Sequence, residues 1–402
     1  MQDVFVGRQP IYDVRQHVIG YELLFRSGQQ NRAGQIDDVR ATSQVIVNTF
    51  LGFGLSKLVG DRLAFINLSR EFLDQAASLP FPPDRVVFEV LESVVPDDDI
   101  GRSLSTLRDQ GYGLALDDYV HDDRWQPLLP LVDFVKLDVL ALTTDELHQQ
   151  VAVLRPKGVA LVAEKVEDQA VFEQCRKLGF HYFQGYFLSR PRTVRGAAIP
   201  PSRLPTVRLL ATIQRPELEG GELERIIGTD VGLSHRLLRY LNSAYYQLQR
   251  PLDSIRQAIL YLGLDELRRW ASLMAIAAVD DKPSELISML TVRARMCELL
   301  GRQLYAADGD TFFTVGLFSG LDVVLDVPLS EVVAELPLSR EVHEALLQRQ
   351  GPAGRVLDCV LHYEAGDWDW LDMNEFPAEI VFQAYVDAID WTRTILDHYG
   401  QQ

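Results

Sequence analysis

Acidic, amide and lysine side chains follow successive short apolar runs in the first half of the sequence. The residues are Glu22, Asn67, Glu89, Asp117, Asp118, Lys136, Glu164 and Gln184. A single acid in such a position commonly caps a helix, but several acids brought together would repel one another unless a cation offset them. Carboxylate and amide oxygens are the ligands that Mg2+ and Mn2+ prefer in proteins. The set therefore predicts a divalent metal site, with Lys136 as a further positive charge.

Such a site would support phosphoryl chemistry. A bound divalent ion acidifies a water molecule and polarises a phosphoryl oxygen. Asp117 and Asp118 are adjacent, so the sequence predicts that they serve two ions at the usual separation of about 3.5–4 Å. Lys136 would orient the water or offset developing negative charge. Phosphodiester hydrolysis is the reaction that this combination favours.

The elements that would position these residues are strands alternating with helices, which is typical of a mostly parallel sheet. Eight strand candidates cover residues 4–13, 18–25, 63–67, 86–90, 113–118, 133–138, 159–164 and 181–187. Eight is the number in a closed α/β barrel, whose strands all end on one face. An open doubly wound sheet is the alternative, although no GxGxxG or P-loop pattern follows any strand. The predicted fold class is α/β, a TIM-like barrel, for this half.

The second half of the sequence has helical periodicity only. Residues 190–216 are rich in Arg and Pro and are predicted to form a linker. Beyond them, Leu233, Leu237 and Leu241 recur at helical spacing. We predict two domains, a barrel over residues 1–195 and an all-α domain over residues 196–402.

Composition restricts the class of partner. The 402 residues carry 39 basic and 57 acidic side chains, a net charge of -18, which argues against long nucleic acid as a ligand. The three cysteines form no CxxC pair, and no apolar run approaches the roughly 20 residues that span a bilayer. The N-terminus lacks the apolar region of a signal peptide. The sequence predicts a cytoplasmic protein without membrane attachment.

The residues that end the strands carry a resemblance to a known family. Residues 1 to about 195 resemble an EAL domain, the cyclic-di-GMP phosphodiesterase family, through YELLFR, FINLS, FEVLE, LDDY, VKLD, AEKVE and FQGYFLSRP in that order. Residues from about 196 to 402 resemble an HDOD domain through LSHRLLRYLNSA, SIRQAILYLGLDELRRW and VGLFSGLD. Chains that join these two domains form a bacterial signalling family.

The resemblance implies a role for each matched residue. Metal ligation falls to Glu22, Asn67, Glu89 and Asp117, with Asp118 for a second ion. Lys136 would act on the attacking water, while Glu164, Glu167 and Gln184 would complete the metal and water shell, with Gln184 also near the ligand. Arg26 would face a ligand phosphate, and Glu92 would anchor the loop after the paired aspartates.

That loop departs from the family pattern. The family has DDFG and a turn of small residues, whereas this chain has DDYVHDDRWQPLL. A β-branched Val120 is excluded from the positive-φ conformations that glycine adopts, so the loop is expected to take another shape. His121, Asp122 and Asp123 are candidate replacement ligands or simply exposed residues. The departure weakens the expectation of a second metal and of turnover.

The helical half offers no catalytic set. HDOD domains resemble HD-type phosphohydrolases without their histidine and aspartate ligands, and His235, His343, His362 and His398 form no HD pair here. His235 is expected at the surface. The run WASLMAIAAV is expected in the core, with Trp270 and the neighbouring Arg268 and Arg269 as a candidate partner surface.

Two hypotheses follow. In the first, the barrel binds cyclic-di-GMP with Mg2+ or Mn2+ and hydrolyses it weakly to linear pGpG, while the HDOD domain contacts a protein partner. In the second, the barrel is an inactive sensor or scaffold that acts through protein contacts. EAL-like barrels often dimerise, but the sequence leaves the oligomeric state open between a monomer and a homodimer.

Overall fold

The computed structural model describes residues 4–27, 54–70, 73, 81–120, 122–185, 202–242, 251–279, 282–307, 309–374 and 376–400. The chain divides into two compact units. One unit comprises Met1–Arg190 and Gly366–Asp372, and the other comprises Pro191–Ala365 and Met373–Gln402. The predicted boundary near residue 196 falls in a segment outside the described residues and stays a prediction.

The first unit is built on a closed eight-stranded barrel in which each strand neighbours the next in sequence. The strands are β1 (Val4–Asp13), β2 (Val18–Ser27), β3 (Leu63–Leu68), β4 (Val86–Val90), β5 (Gly113–Leu116), β6 (Phe134–Asp138), β7 (Ala160–Glu164) and β8 (Tyr182–Gln184). Every one of the eight strand candidates corresponds to one of these strands. The TIM-like barrel is therefore confirmed, and the open sheet is not formed.

β1 gives the barrel one departure from an all-parallel sheet. It pairs antiparallel with both β2 and β8, whereas β2 to β8 pair parallel in sequence. The connection from Asp13 to Val18 is a short turn closed by hydrogen bonds to the backbone and side chain of Asp13. Antiparallel neighbours can be joined by so short a turn, whereas a parallel pair needs a long crossover.

Helices connect the parallel strands. They are α1 (Leu55–Val59), α2 (Asp98–Asp109), α3 (Thr144–Leu154) and α4 (Gln169–Leu178), with short 3-10 turns at Pro83–Arg85, Asp123–Trp125, Leu129–Leu131 and Arg155–Lys157. Asp97 caps α2, Thr143 and Glu146 form a capping box on α3, and Asp168 caps α4. These caps satisfy backbone donors that the first turn of a helix leaves free.

An apolar layer fills the barrel beneath its carboxyl end. Ile11, Phe65, Val87, Ala115 and Val162 form a buried cluster, to which Ile19, Leu63, Phe134 and Tyr182 are partly buried neighbours. Phe134 packs edge-on against Phe65 with ring centres 5.4 Å apart. This layer closes the barrel interior, so polar side chains directly above it lie on a water-free base.

The second unit is helical throughout its described residues. Its helices are α5 (Leu204–Ile213), α6 (Gly220–Thr229), α7 (Val231–Leu241), α8 (Ile255–Leu262), α9 (Leu264–Ala277), α10 (Ser284–Tyr305), α11 (Asp310–Phe318), α12 (Leu321–Leu325), α13 (Leu329–Ala334), α14 (Arg340–Gln348), α15 (Gly351–Glu364) and α17 (Ala378–Gly400). The short α16 (Trp368–Met373) belongs almost wholly to the barrel unit, where the ring of Trp368 packs over Gly7. The helical prediction is confirmed, but nothing in the sequence indicated this return of the chain.

Two expectations for the helical unit need correction. The predicted linker over residues 190–216 contains the helix α5, because Pro205 lies at a helix start where its missing N–H costs nothing. Trp270 is 2% exposed and packs against Trp391, so it contributes no partner surface. No helix in the described part of the chain combines the length and apolar character needed to cross a bilayer.

Candidate functional site

The polar residues at the carboxyl ends of the strands share one position in the register of the barrel. Successive side chains of a strand alternate between its two faces, so residues i and i+2 point the same way. Phe65 precedes Asn67 by two, Val87 precedes Glu89, and Phe134 precedes Lys136. The same spacing joins Ala115 to Asp117, Val162 to Glu164 and Tyr182 to Gln184. The polar set is thus the next inward-facing layer above the apolar one.

Lys136 lies at the centre of this polar layer and is completely buried. Its Nζ atom is 3.0 Å from Glu22 Oε2 and 2.8 Å from an oxygen of each of three further carboxylates, those of Glu89, Asp117 and Glu164. Glu22, Glu89 and Glu164 are themselves buried. One ammonium group therefore faces four carboxylates in a space closed to solvent on most sides.

Amide side chains complete the layer around Glu22. Asn67 Nδ2 donates to Glu22 Oε1 at 2.8 Å, and Gln184 Nε2 donates to Glu22 Oε2 at 2.6 Å. Gln184 Nε2 also donates to Gln9 Oε1 at 3.0 Å. Gln9 was not identified from the sequence, since β1 runs antiparallel and the residue at the site end precedes Ile11 instead of following it.

Burial and neighbouring charges shift the pKa values of the four acids in different directions. Burial and repulsion from neighbouring carboxylates raise the pKa of Glu89 well above its ordinary value, despite the nearby Lys136. The same causes raise the pKa of Asp117, and that of Glu164 to about 7. Burial would also raise the pKa of Glu22, but Lys136 and the amide hydrogen bonds lower it overall. Lys136 has a raised pKa because attraction to the carboxylates outweighs its burial.

The described part of the loop after β5 begins with a turn at Asp118, and its difference in shape from the loop of the family stays a prediction. Asp118 is the residue in the left-handed region, with φ 42°, and Tyr119 turns into the protein, where it is buried. Asp122 accepts from the backbone of Arg124 and pairs with its guanidinium. Asp123 is exposed, and His121 lies outside the described residues. Asp122 and Asp123 are therefore not gathered with the buried acids.

Three remaining predicted residues lie at the edge of this layer. Glu92 is exposed beside Asp118 and Tyr119, in a cleft of about 380 Å³, and forms no hydrogen bond with the described part of the loop. Glu167 is half-buried after β7, next to the Asp168 cap. Arg26 lies on β2 opposite Phe5, but its side chain is outside the described part. The roles assigned to these three residues stay predictions.

Gly185 fixes the position of the last strand at the site. An added Cβ at this residue would lie 2.2 Å from the carbonyl oxygen of Val166, so no other residue fits. The approach lets the Val166 N–H donate to the Gln184 carbonyl at 3.0 Å. The glycine thereby brings β8 and its Gln184 side chain against the segment that follows Glu164.

The oxygen atoms of this layer are of the type that binds a hard divalent cation. Asn67 Oδ1, Glu89 Oε2, Asp118 Oδ1 and Gln184 Oε1 are buried without a hydrogen-bond donor, a state that normally calls for an unseen partner. As they stand, no three acidic, His or Cys side chains among the described residues surround a common metal position, since the carboxylates face Lys136. The carboxylate and amide oxygens are nevertheless of the chemical type that Mg2+ or Mn2+ prefers.

Two arginines proposed as a partner surface of the helical unit form ion pairs and hydrogen bonds within that unit. His235 is exposed, as expected from the sequence. Arg269, one of the two candidate surface arginines, pairs with Glu266, Asp310 and the buried Glu298. Arg268 donates to the carbonyl groups of Arg215 and Leu218. Both arginines therefore serve internal contacts.

Comparison with known proteins agrees with this two-part architecture. The EAL domain family model matches residues 63–191, and the HDOD domain family model matches residues 199–338. The cyclic di-GMP phosphodiesterase CdgJ of Vibrio cholerae is 34% identical over 98% of this chain and 94% of its own. The uncharacterized protein YuxH of Bacillus subtilis is 31% identical over 98% of this chain and 99% of its own.

Solved structures with detectable similarity cover about half of the chain. An EAL domain protein from Listeria monocytogenes is 22% identical over 47% of this chain and 89% of its own, with a TM-score of 0.37. The calcium and cyclic-di-GMP complex of Klebsiella pneumoniae BlrP1 is 26% identical over 48% of this chain and 56% of its own, with a TM-score of 0.38. Because two relatives align with the present sequence along nearly their whole length, the chain belongs to the family of proteins that join an EAL domain to an HDOD domain.

Proposed function

We propose that the barrel binds cyclic-di-GMP through a divalent cation held at its carboxyl end, and that it hydrolyses the dinucleotide slowly to linear pGpG. The observation that carries this proposal is the buried cluster of four carboxylates around Lys136. A lone ammonium leaves most of that negative charge uncompensated, and buried charge is expensive unless it is paired. A divalent ion supplies the missing charge.

In this proposal Glu22, Asn67, Glu89 and Asp117 hold the ion, because their oxygens line the inward-facing polar layer. When bound, the ion polarises the phosphoryl group and acidifies the attacking water. Lys136 orients the water and offsets the charge that develops as the P–O bond to the sugar breaks. Glu164, Glu167 and Gln184 complete the surrounding shell, and Arg26 faces a ligand phosphate.

The relatives support the choice of ligand. CdgJ, which matches along nearly the whole chain, carries the name of a cyclic di-GMP phosphodiesterase. A shorter match of 30% identity, over 37% of this chain and 20% of the other, is to the cyclic di-GMP phosphodiesterase PdeB of Shewanella oneidensis. The strand-end residues quoted from the sequence stand in the order expected of such a domain.

A second candidate function is that of a sensor that binds the dinucleotide without cleaving it. The loop after β5 favours this alternative, since Val120 stands where the family pattern has the glycine of DDFG. In the described part of the loop, Asp118 adopts a left-handed conformation. The helical unit would then pass the signal to a protein partner, and a homodimer through the barrel is part of both proposals. The three buried free cysteines suit a reducing cytoplasm.

Binding and turnover are measured on the same preparation of the full chain. Calorimetry with cyclic-di-GMP in Mg2+, Mn2+ or EDTA tests recognition, and chromatography of the products tests cleavage. Metal-dependent binding with slow formation of pGpG supports the first function, while binding without product selects the sensor. If the protein binds no dinucleotide in any metal, both are wrong. Glu22→Ala is the negative control for both assays, because it removes a central acid of the polar layer.

A further inference from the structure

Lys165 is a second lysine at the carboxyl end of the barrel, and it differs from Lys136 in lying at the rim. Its side chain is 51% exposed. The Nζ atom lies 2.5 Å from Asp138 Oδ2 and 3.6 Å from Asp118 Oδ1. Each of the two adjacent aspartates after β5 therefore faces its own lysine, Asp117 with Lys136 and Asp118 with Lys165.

Lys165 is constrained by its backbone conformation and by an ion pair with Asp138. Lys165 adopts a left-handed conformation with φ 57°, which L residues with a long side chain seldom take. The next residue, Val166, donates its N–H to the Gln184 carbonyl. At the other end of the side chain, Asp138 is fixed by N–H groups of Leu140 and Ala141 at 2.8 and 3.0 Å. Lys165 is thus restrained at both its backbone and its charged end.

The Asp118 carboxylate is where the sequence predicts a ligand of a second metal ion. Its Oδ1 atom is buried and receives no hydrogen bond, so its charge is offset across 3.6 Å by the Lys165 ammonium. A divalent ion bound to this oxygen would have to lie a few Å from that ammonium, and like charges at such a distance repel strongly. At Lys136 four carboxylates share one ammonium, which leaves negative charge for an ion to offset, whereas the Lys165 ammonium is shared by two, Asp118 and Asp138. Lys165 and a second divalent ion therefore compete for Asp118.

We propose that Lys165 is a positioning residue that supplies a tethered positive charge at Asp118 in place of a second divalent cation, so that the barrel binds a single ion. The inference rests on the proposed function, because it takes the first ion as given. The inference specifies the number of bound metal ions, which the sequence left open between one and two. It also gives a reason for slow turnover, since a fixed ammonium cannot acidify a water molecule as a second metal ion does.

The test counts Mn2+ ions on the full chain without measuring activity. Protein stripped with EDTA and desalted is titrated with Mn2+ in equilibrium dialysis, and low-temperature electron paramagnetic resonance then reports whether two bound ions couple magnetically. Wild-type protein is expected to bind one uncoupled ion. Lys165→Gln is expected to bind a second ion at least about tenfold more tightly than wild type and to show coupling.

Three variants control this comparison. Lys165→Arg keeps the charge and is expected to bind one ion. Lys177→Gln removes an exposed lysine of the same unit and is expected to match wild type. The double variant Lys165→Gln with Asp118→Asn is expected to return to one ion, because the ligand of the second site is gone. Circular dichroism melting checks that each variant folds, and Lys165→Met replaces Lys165→Gln if that protein does not.

Each other outcome overturns the inference. Two ions in wild type, or one ion in both neutral Lys165 variants, shows that Lys165 does not exclude a second ion, and the proposed function is then unaffected. Absence of Mn2+ binding in every variant overturns the inference together with the metal-dependent function.

Discussion

Glu22 and Lys136 are 114 positions apart in the sequence, and their side chains meet at 3.0 Å inside the barrel. Glu22 also accepts hydrogen bonds from Asn67 and Gln184. This is why Glu22 alone among the four acids around the lysine has a lowered pKa, whereas burial and repulsion raise the pKa of the others. Surplus negative charge therefore destabilises the cluster. A mutation, a change of pH or a bound metal ion can each decrease or increase this destabilisation.

Lys136→Met is expected to lower the free energy of unfolding by about 3 kcal/mol in EDTA. Removing one partner of a buried ion pair leaves uncompensated buried charge, which typically costs about 3–5 kcal/mol. Here four carboxylates lose their common partner. Urea denaturation followed by circular dichroism measures the loss. Lys177→Met, at an exposed position, is the control, and a loss as small as that of the control would contradict the central role of Lys136.

Glu89→Gln and Glu22→Gln are expected to change stability in opposite directions in EDTA. Glu89 has a raised pKa, so its ionised form is disfavoured in the fold and a neutral amide stabilises it. Glu22 has a lowered pKa, so its ionised form is favoured and the amide destabilises. We expect about 1 kcal/mol in each direction by thermal denaturation.

The same two variants separate apo stability from metal binding. Wild-type protein is expected to melt at a higher temperature in Mn2+ than in EDTA, because a ligand that binds only the folded state stabilises it. Both glutamine variants are expected to lose most of that increase, since each removes a carboxylate of the proposed ion site. An unchanged Mn2+ effect in Glu89→Gln would remove Glu89 from the ligand set.

The metal-free protein is expected to become less stable as the pH rises from 5 to 7. The pKa of Glu164 is about 7 in the folded chain against an ordinary value of 4.5. Between these values the folded state binds more protons than the unfolded state, so the contribution of Glu164 to the free energy of unfolding falls with rising pH and levels off above 7. From pH 5 to 7 this contribution changes by about 2 kcal/mol, because the slope is at most about 1.4 kcal/mol per pH unit. Urea denaturation at several pH values in EDTA measures it, and Glu164→Gln is expected to flatten the slope; an equally steep slope in that variant would assign it to other groups.

Glu298→Gln is expected to destabilise the helical unit by about 3 kcal/mol. Glu298 is 2% exposed and lies within 2.8 Å of Arg269 and Arg302 and 2.6 Å of Arg295. Loss of its charge leaves three arginines without their common partner. Glu344→Gln breaks an exposed pair with Arg340 and should cost less than about 0.5 kcal/mol. Urea denaturation compares the two, and equal losses would show that the Glu298 cluster adds nothing beyond a surface pair.

The three cysteines are expected to resist alkylation in the folded protein. All are buried, and burial raises the pKa of Cys175 to about 11 and that of Cys297 and Cys359 above their ordinary value. Because the thiolate is the reactive form, iodoacetamide at pH 8 should modify no cysteine in native protein and three after urea denaturation. Mass spectrometry counts the adducts; rapid labelling of native protein at any of the three would contradict their burial.

Strand positions were predictable from the sequence because short apolar runs alternate with helical segments, and a polar residue follows most of these runs. An apolar residue is followed two positions later by a polar one, as in Phe65 with Asn67 and Val162 with Glu164. That local period also indicated which residues would share a layer once the barrel closed. Gln9 was not predicted because β1 runs antiparallel to both of its neighbours, and a local sequence pattern does not reveal strand direction.

Pairing within the layer was not predictable in the same way. Lys136 facing four carboxylates, and Lys165 facing Asp118 and Asp138, depend on which strand ends become neighbours across the barrel. The proline content of residues 190–216 predicted a linker without the helix α5, but proline is compatible with a first helical turn, and α5 begins beside Pro205. The return of residues 366–372 to the barrel unit is likewise a long-range contact.

The sequence by itself determined the two-part division of elements, the barrel, the polar residue at each strand end and the family to which the chain belongs, because these follow from periodicity and from residue types at fixed positions. Only the tertiary structure decided the charge balance of the site. Electrostatic interaction depends on distance and burial, and both are set when residues as remote as Glu22 and Lys136 are brought to 3.0 Å in a closed interior.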